Sequence, residues 1–339
     1  MSTSLTEIEA TVRLVLEIGE DQPLSISPIN RGGSARVFFR VRYGLSSRIF
    51  MRYDRDRREN NYYADQARFL REIGVSAPRI FHHDAAAGII VMEDLGAGDL
   101  WHYRQTAWDS RRPHYFRTLD MIRKMHVLGP GDPALAGLSL MEAFGFELYR
   151  WEREYFRQHF VCGVCRLELH AAEAEALEEE LALLAARLAA RPSGLIHRDL
   201  QSQNVMICNN QPVLIDFQGM RYGDPCYDLG SLLYDPYVHF TAAEREELLR
   251  YYYSFCRDEY DLDLFREMFR QASVQRLMQA LGAYGFLGQQ EIHRSFLAHI
   301  PSGLANLLEA LGDDPQLCLL KNLALRCREA LAASGLWDR

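Results

Sequence analysis

Three oxygen-bearing side chains lie at short spacing in the middle of the 339-residue chain. Asp199 stands five residues before Asn204. Two short apolar runs follow, residues 205–208 and 213–215, and Asp216 comes directly after the second. The residues between the runs have the composition of a turn, so the pattern predicts a β-hairpin that places Asn204 beside Asp216. Two carboxylates and one carboxamide would then meet at one end of the hairpin.

This set of donors suits magnesium, a hard cation that takes few protein oxygens and completes its shell with water and phosphate. Asn204 and Asp216 are therefore the expected metal ligands, and Asp199 is left to orient a hydroxyl. The order His197-x-Asp199, an asparagine five residues on, then Asp-Phe after a strand is that of the catalytic and metal loops of kinases. An ordinary hairpin with solvated polar ends is the alternative, but the complete ordered set favours a kinase.

The chain resembles the aminoglycoside phosphotransferase-like kinases over most of its length. Residues 224–229 read Asp-Pro-Cys-Tyr-Asp-Leu and are similar to the Asp-Pro-x-Tyr-Asp-Leu signature of that family. Within the family, residues 216–218 and 275–282 are most similar to the anomeric N-acetylmuramate/N-acetylglucosamine kinases of cell-wall recycling. The resemblance implies ATP and Mg²⁺ as cofactors.

The resemblance also implies an α+β, two-lobed protein-kinase-like fold. A small, β-rich N-terminal lobe with a phosphate loop would comprise residues 1–92, and the hinge residues 93–98. A large, mainly helical C-terminal lobe would comprise residues 99–339 and hold the catalytic loop, the metal loop and the acceptor site. In this family the hinge backbone holds adenine, which here implies Glu93 and Leu95.

The resemblance further assigns support of the catalytic loop to His197 and Asp228. In the family, the aspartate at the position of Asp228 steadies this loop through hydrogen bonds. We expect Asp228 to start a helix, where simple helix capping is an alternative role that is compatible with the first. His197 and Arg198 are expected to shape the loop rather than touch the substrate.

A glycine turn in the N-terminal lobe is a candidate phosphate loop. Gly32 and Gly33 would let the backbone approach phosphate oxygens closely, with backbone amides and Ser34 as hydrogen-bond donors. A Gly-Gly hairpin alone is more often only a turn. Its position about 165 residues before His197 favours the phosphate-binding interpretation.

The N-terminal lobe lacks the lysine that kinases direct at the nucleotide phosphates. The chain contains only two lysines, Lys124 and Lys321, and both lie beyond this lobe. Arg52, at the end of a predicted strand, is the best substitute because guanidinium binds phosphate bidentately. An exposed arginine at a strand end is the alternative. Glu59 or Asp65 could pair with Arg52, and the sequence does not choose between them.

Composition and charge exclude several classes of protein. A net charge of −8 argues against a general nucleic-acid binder. No apolar run reaches the length of a membrane span, and the first residues lack a basic start and apolar core, so we expect a cytoplasmic protein. Between residues 31 and 72, eleven arginines accompany five acids, which fits either a solvated surface or attraction of a polyphosphate.

The seven cysteines are odd in number and scattered, which favours reduced thiols. Cys162 and Cys165, with His159 and His170 nearby, could be drawn as a zinc site. Their spacing matches no regular zinc finger, so two semi-buried helix cysteines are the favoured interpretation.

The C-terminal half contains several further candidates for the cleft. Residues 144–160 combine aromatic and acidic side chains, which suits a sugar site, although core packing explains the aromatics too. His126 is expected to be a packed, hydrogen-bonded histidine. Further cleft candidates, which sequence alone does not separate from scaffold, are Tyr234, Asp235, Arg276 and Tyr284.

These patterns predict an ATP-dependent small-molecule kinase acting on a sugar hydroxyl, with an anomeric hydroxyl of an N-acetylated amino sugar as the leading acceptor. An aminoglycoside or other amino-alcohol kinase is the alternative and would need a carboxylate-lined pocket for ammonium groups. A degenerate pseudokinase module is a second alternative, supported by the missing lysine and opposed by the intact Asp199, Asn204 and Asp216. No nucleic-acid or membrane partner is expected.

Overall fold

The first part of the molecule is a lobe built on a five-stranded antiparallel sheet in the order β1-β2-β3-β5-β4. The structure is a computed structural model that describes residues 5–29 and 36–337. The predicted phosphate-loop residues Gly32, Gly33 and Ser34 lie outside the described residues. The elements of this lobe are α1 (Leu5–Val15), β1 (Leu24–Ile29), β2 (Val37–Tyr43), β3 (Ser46–Arg52), α2 (Tyr63–Glu72), β4 (Ile80–Asp84) and β5 (Ile89–Glu93).

The two faces of this sheet belong to different hydrophobic clusters, because successive residues of a strand point to opposite faces. Ile49 and Met51 of β3 are buried in the large core that includes α2. Phe50, between them, is buried in a smaller cluster with residues of α1. Arg52 shares the parity of Phe50 and therefore lies on the face that α1 covers.

The rest of the chain is mainly helical and confirms the predicted α+β, two-lobed class. The 27-residue helix α8 is its centre and packs against α4, α6 and α9. No described helix is both long and apolar enough to cross a membrane. The elements are α3 (Trp108–His126), α4 (Phe146–Phe156), α5 (Ala171–Ala189), β6 (Gly194–Ile196), β7 (Val205–Cys208), β8 (Gln211–Leu214), β9 (Arg221–Gly223), α6 (Pro225–Leu233), α7 (Ala242–Tyr253), α8 (Leu262–Gly288), α9 (Ile300–Leu311) and α10 (Cys318–Ala333).

The predicted hairpin is present as the antiparallel pair β7–β8, but its turn is shorter than predicted. Asn209 and Asn210 alone form the turn, with φ of 51° and 60°. Such left-handed pairs match the twist of a two-residue hairpin. Gln211 and Pro212 belong to β8. Pro212 is tolerated there because both strands of a two-stranded sheet are edge strands.

Helix α6 begins earlier than predicted. Asp224, rather than Asp228, is its N-cap and accepts a hydrogen bond from the backbone N–H of Cys226 at 2.8 Å. Pro225 occupies the first helical position, where its missing N–H is not needed. Asp228 therefore lies one turn inside the helix, with its carboxylate directed at the loop that follows β6.

Candidate active site

A buried aspartate holds the loop that carries Asp199. Asp228 is fully buried, and its carboxylate accepts hydrogen bonds from the backbone N–H groups of His197 at 2.7 Å and Arg198 at 2.8 Å. His126 Nε2 lies 3.1 Å from the same carboxylate, so this histidine is packed and hydrogen-bonded, as expected. Arg198 has φ of 78°, a left-handed conformation that non-glycine residues rarely adopt. The hydrogen bonds that Asp228 accepts therefore hold the loop in this conformation.

Asn204 and Asp216 lie together at one end of the β7–β8 hairpin. The backbone N–H of Ile215 donates to the carbonyl of Asn204 at 3.0 Å. The side-chain amide of Asn204 donates to the carbonyl of Asp199 at 2.8 Å. His197 Nε2 lies 2.9 Å from the carbonyl of Ile215 and fastens the loop to the hairpin. The structure thus brings Asp199, Asn204 and Asp216 to one place, while their chemical roles stay predictions.

This end of the hairpin has the donors for a divalent cation. The nitrogen of the Asn204 amide is already used, which leaves its oxygen available. The Asp216 carboxylate accepts from the positively charged Arg36 guanidinium and from the neutral amide of Gln218, whose Nε2 lies 3.0 Å away. One carboxylate and one carboxamide suit Mg²⁺. Because the described residues hold no cluster of three His, Cys, Asp or Glu poised for a metal, the ion would take further ligands from phosphate and water.

Two arginines set the state of Asp199. Arg198 Nη1 lies 3.1 Å from one carboxylate oxygen, and Arg276 Nη2 of α8 lies 3.4 Å from the other. Burial by itself would raise the pKa of Asp199, but the surrounding positive charges, led by Arg198 and Arg276, outweigh burial and hold that pKa below its usual value. Arg276 is buried and is positioned by the hydroxyl of Ser231 at 3.0 Å and by Gln279. Asp199 is therefore an ionised, oriented and weakly basic carboxylate.

A second acidic group, Glu152 of α4, is fully buried in the same network. It accepts hydrogen bonds from the Tyr227 hydroxyl at 2.9 Å and the Gln275 amide at 3.0 Å, and Arg198 Nη2 lies 3.8 Å away. Burial raises the pKa of Glu152, with Arg198 opposing. Arg221 is buried nearby, where burial and the charge of Arg198 lower its pKa to about 10. The carboxylate of Glu152 is thus occupied by protein donors.

The other cleft candidates from the sequence have structural contacts. Asp235 is buried and accepts from the backbone N–H of Ser202 at 2.7 Å, which gives the catalytic loop a second anchor. The Tyr284 hydroxyl lies 3.5 Å from Gln201 Nε2 at the edge of the same loop. Tyr234 is buried in the core. Asp235 and Tyr284 therefore border the site, and Tyr234 is scaffold.

Arg36 reaches the hairpin from the small lobe, and sequence reasoning missed it. Its side chain is 10% exposed and contacts the carboxylate of Asp216. Below this contact, Tyr63 of α2 stacks on Phe217 with ring centroids 4.6 Å apart. Burial raises the pKa of Tyr63 despite the opposing charge of Arg36. The position of Arg36 directly before β2, after the predicted glycine turn, was the one signal in the sequence.

Arg52 lies elsewhere. Its Nη1 is 3.5 Å from an oxygen of Glu7, on the face of the sheet that α1 covers. Among the described contacts, none brings Arg52 to Asp216. Lys124 donates to a backbone carbonyl at 2.7 Å, and Lys321 to an aspartate at 2.8 Å. Arg52 as the substitute for the lysine stays a prediction.

The predicted hinge is fixed to the small-lobe sheet. Glu93 ends β5, and its carboxylate accepts from the backbone N–H of Arg79 at 3.1 Å. Arg40 of β2 binds both carboxylate oxygens of Asp94, at 2.7 and 2.9 Å. Burial favours a higher pKa for Asp94, but its hydrogen bonds, led by that from Arg40, lower it. Leu95 is half-buried beside this ion pair, and adenine contacts of Glu93 and Leu95 stay predictions.

A half-exposed aromatic row extends along α4 and α8. Trp151 stacks on Tyr155 at 5.0 Å between centroids, and Phe286 lies 5.9 Å from Tyr155 and 5.0 Å from His159. Trp151 and Phe286 are 51% and 41% exposed. A Cβ at Gly282 would lie 2.9 Å from the Tyr155 ring, so glycine allows α8 this close approach. Core packing therefore does not account for all aromatics of residues 144–160.

The cysteines have no part in this site. All seven are free thiols, as the sequence predicted. The expectation of two semi-buried helix cysteines is wrong, because Cys162 is exposed and Cys165 is buried in a bend outside the helix. The thiol of Cys327 raises the pKa of Cys165. The described residues contain no His and Cys cluster that could hold zinc.

Comparison with known proteins places this geometry in context. The sequence pattern of the "Phosphotransferase enzyme family" matches residues 25–262. The N-acetylmuramate/N-acetylglucosamine kinase of Pseudomonas aeruginosa is 24% identical over 318 residues, covering 90% of this chain and 89% of the relative.

Solved structures whose names refer to different small molecules share the fold. A choline/ethanolamine kinase family protein from Mesorhizobium loti has a TM-score of 0.59 at 20% identity, over 94% of this chain and 99% of its own. The streptomycin–ATP–APH(2")-IIa ternary complex has a TM-score of 0.59 at 15% identity, over 91% and 97%. These likenesses confirm the two-lobed, protein-kinase-like fold.

Proposed function

Because the chain belongs to the phosphotransferase enzyme family, we propose that it transfers the γ-phosphoryl group of ATP to the anomeric hydroxyl of an N-acetylated amino sugar. The broader activity, phosphoryl transfer to an alcohol or sugar, follows from the family and from relatives that are kinases. The choice of acceptor is the proposal. The observation that carries it is the arginine-held carboxylate of Asp199.

The chain's own residues divide the chemistry among them. Phosphoryl transfer needs mainly positioning and charge stabilisation. Mg²⁺, when held by Asn204 and Asp216, would neutralise charge on the phosphates. Asp199 orients the acceptor hydroxyl and takes its proton. Asp228 positions the loop that presents Asp199.

The low basicity of Asp199 matches an anomeric acceptor. Arg198 and Arg276 hold the pKa of Asp199 below its usual value, so it is a weak base. An anomeric hydroxyl is more acidic than an ordinary alcohol, because the ring oxygen withdraws electron density from the forming alkoxide. Such an acceptor can be deprotonated by a weaker base.

The charge around Asp199 disfavours the aminoglycoside alternative. An ammonium-bearing substrate would meet the guanidinium groups of Arg198 and Arg276 at the base. The nearby carboxylates of Glu152 and Asp235 already accept hydrogen bonds from the protein. The aromatic row, by contrast, offers ring faces on which a sugar can stack.

The test uses ATP, Mg²⁺ and matched sugars. N-acetylglucosamine and N-acetylmuramate should be phosphorylated, and their 1-O-methyl glycosides should not. Phosphorus NMR should place the phosphate on the anomeric oxygen. An Asp199→Asn preparation, purified identically, controls for contaminating kinases.

Each other result would point to a different function. Turnover of a glycoside, or phosphate on the 6-hydroxyl, would end the anomeric proposal and leave a sugar kinase. Turnover of aminoglycosides but not sugars would establish the alternative acceptor. A folded protein that turns over no nucleotide with any acceptor would support the pseudokinase.

A further inference from the structure

We propose that Arg36 is the small-lobe cation that binds the nucleotide phosphates, and that it exchanges Asp216 for the phosphates when a metal ion binds Asp216. This inference rests on the proposed function only in its use of ATP, and it is independent of the acceptor. It assigns to Arg36 the task for which the sequence suggested Arg52.

The geometry places Arg36 where such a cation must act. Its guanidinium crosses from the start of β2 to the carboxylate of Asp216, a separation of 180 residues in sequence. Asp216 is also the predicted metal ligand, so a nucleotide whose phosphates share that metal would bring phosphate oxygens close to Arg36. A guanidinium binds phosphate as readily as carboxylate, with two parallel hydrogen bonds.

Three other arginines of this sheet have different contacts. Arg40 is paired with Asp94 at 2.7 and 2.9 Å. Arg48 lies over the Phe81 ring, 4.2 Å from its centroid. Arg52 is on the face of the sheet covered by α1. Of these strand arginines and Arg36, it is Arg36 that reaches the metal-binding carboxylate.

The ion pair between Arg36 and Asp216 affects ligand binding differently in the nucleotide-free and the nucleotide-bound protein. In the empty protein, Arg36 neutralises Asp216 and competes with a metal ion for the same carboxylate. A bound nucleotide gives Arg36 a new anionic partner, so metal and nucleotide should assist each other's binding. Arg36 would then have two roles. It binds the phosphates when nucleotide is present, and it neutralises Asp216 when no metal ion is bound.

Equilibrium binding tests this without any acceptor. Dissociation constants for ATP are measured in EDTA and in Mg²⁺, and Mn²⁺ binding to the nucleotide-free protein is followed by electron paramagnetic resonance. Arg36→Ala should weaken metal-free ATP binding by roughly tenfold or more, the size of one charge-assisted hydrogen bond. The same variant should bind Mn²⁺ more tightly, because its competitor at Asp216 is gone.

A second variant, Asp216→Asn, should change the ATP and Mn²⁺ affinities in the directions opposite to those expected for Arg36→Ala. Asp216→Asn should lose Mn²⁺ binding yet tighten ATP binding in EDTA, since Arg36 is released to the phosphates. Arg36→Lys should restore part of the ATP affinity. As a control, Arg42 is an exposed arginine on β2, and Arg42→Ala should change neither constant.

Two results would overturn the inference. If Arg36→Ala weakens ATP and Mn²⁺ binding together in a protein with an unchanged melting temperature, Arg36 merely supports the structure. If it changes neither, the phosphates are held without Arg36. If the wild-type protein binds no ATP at all, the proposed function is wrong as well. Either of the two results for Arg36→Ala leaves the proposed function unaffected.

Discussion

The carboxylate of Asp199 is held by guanidinium groups from two different elements. Arg198 belongs to its own loop, and Arg276 comes from α8. Their charges keep the carboxylate ionised and fix both of its oxygens. A group arranged this way is suited to orient a hydroxyl and accept its proton, whereas Asp216 is arranged to bind cations.

We expect Asp199→Asn to lower kcat by about 10²–10⁴-fold, the usual contribution of a general base. Nucleotide binding in Mg²⁺ should be unchanged, because the proposed role of Asp199 is at the acceptor hydroxyl. Asp216→Asn should instead weaken Mg²⁺-dependent nucleotide binding. Calorimetric titration of both variants with ATP separates the roles, and identical titrations would show that the division is wrong.

Arg276→Gln should change how activity depends on pH. In the proposed mechanism activity requires ionised Asp199, so activity should be present above the pKa of Asp199 and be lost as pH falls through it. Removing one of the charges that lower this pKa should raise it and move the acidic limb of the kcat/KM profile to higher pH.

The control for Arg276→Gln is Arg270→Gln, a partly exposed arginine on the same helix. Its profile should coincide with that of the wild type. A lower kcat with an unmoved acidic limb in Arg276→Gln would mean that Arg276 supports packing without tuning Asp199.

Among the elements, helix α6 does most to place the loop that carries Asp199. Its second turn presents Asp228 to two backbone N–H groups of a loop that contains the left-handed Arg198. The N-cap of the helix, Asp224, is a different residue, so capping and loop support are separate tasks. A rigid helix thereby fixes an irregular loop that has little regular structure of its own.

Asp228→Asn should destabilise the protein by about 2 kcal/mol, because a charged acceptor serving two buried N–H groups is replaced by one with a single oxygen. The substitution should also lower kcat, since the loop loses the carboxylate that positions it. Thermal unfolding and steady-state kinetics measure the two effects.

Asp261→Asn is the matched control. Asp261 caps α8 at an exposed position, and asparagine caps helices equally well. Both its stability and its kcat should stay at the wild-type level. Wild-type values in Asp228→Asn as well would contradict the anchoring role.

At the scale of the whole molecule, the arginines of the small lobe mainly stabilise that lobe itself. Arg40 pairs with Asp94, and Arg55 and Arg71 donate to backbone carbonyls at 2.7 and 3.0 Å. These contacts favour the interpretation of this basic segment as a structural surface. Arg36 differs because it bridges to the other lobe.

The sequence by itself determined the local part of the site. Asp199, Asn204 and Asp216 converge because a short hairpin brings its two ends together wherever it is placed, and apolar runs and turn residues predict such a hairpin. The errors were also local, in the turn at Asn209 and Asn210 and in the start of α6 at Pro225.

Only the tertiary structure decided which distant residues join that site. Arg276 lies 77 residues from Asp199, and Arg36 lies 180 residues from Asp216. Their contacts depend on which face of α8 meets the catalytic loop and on how the two lobes are placed. Likewise, strand parity sends Arg52 to the α1 face, which a one-residue difference in register would reverse. Such choices are made by packing across the whole molecule, because no short stretch of sequence contains both partners.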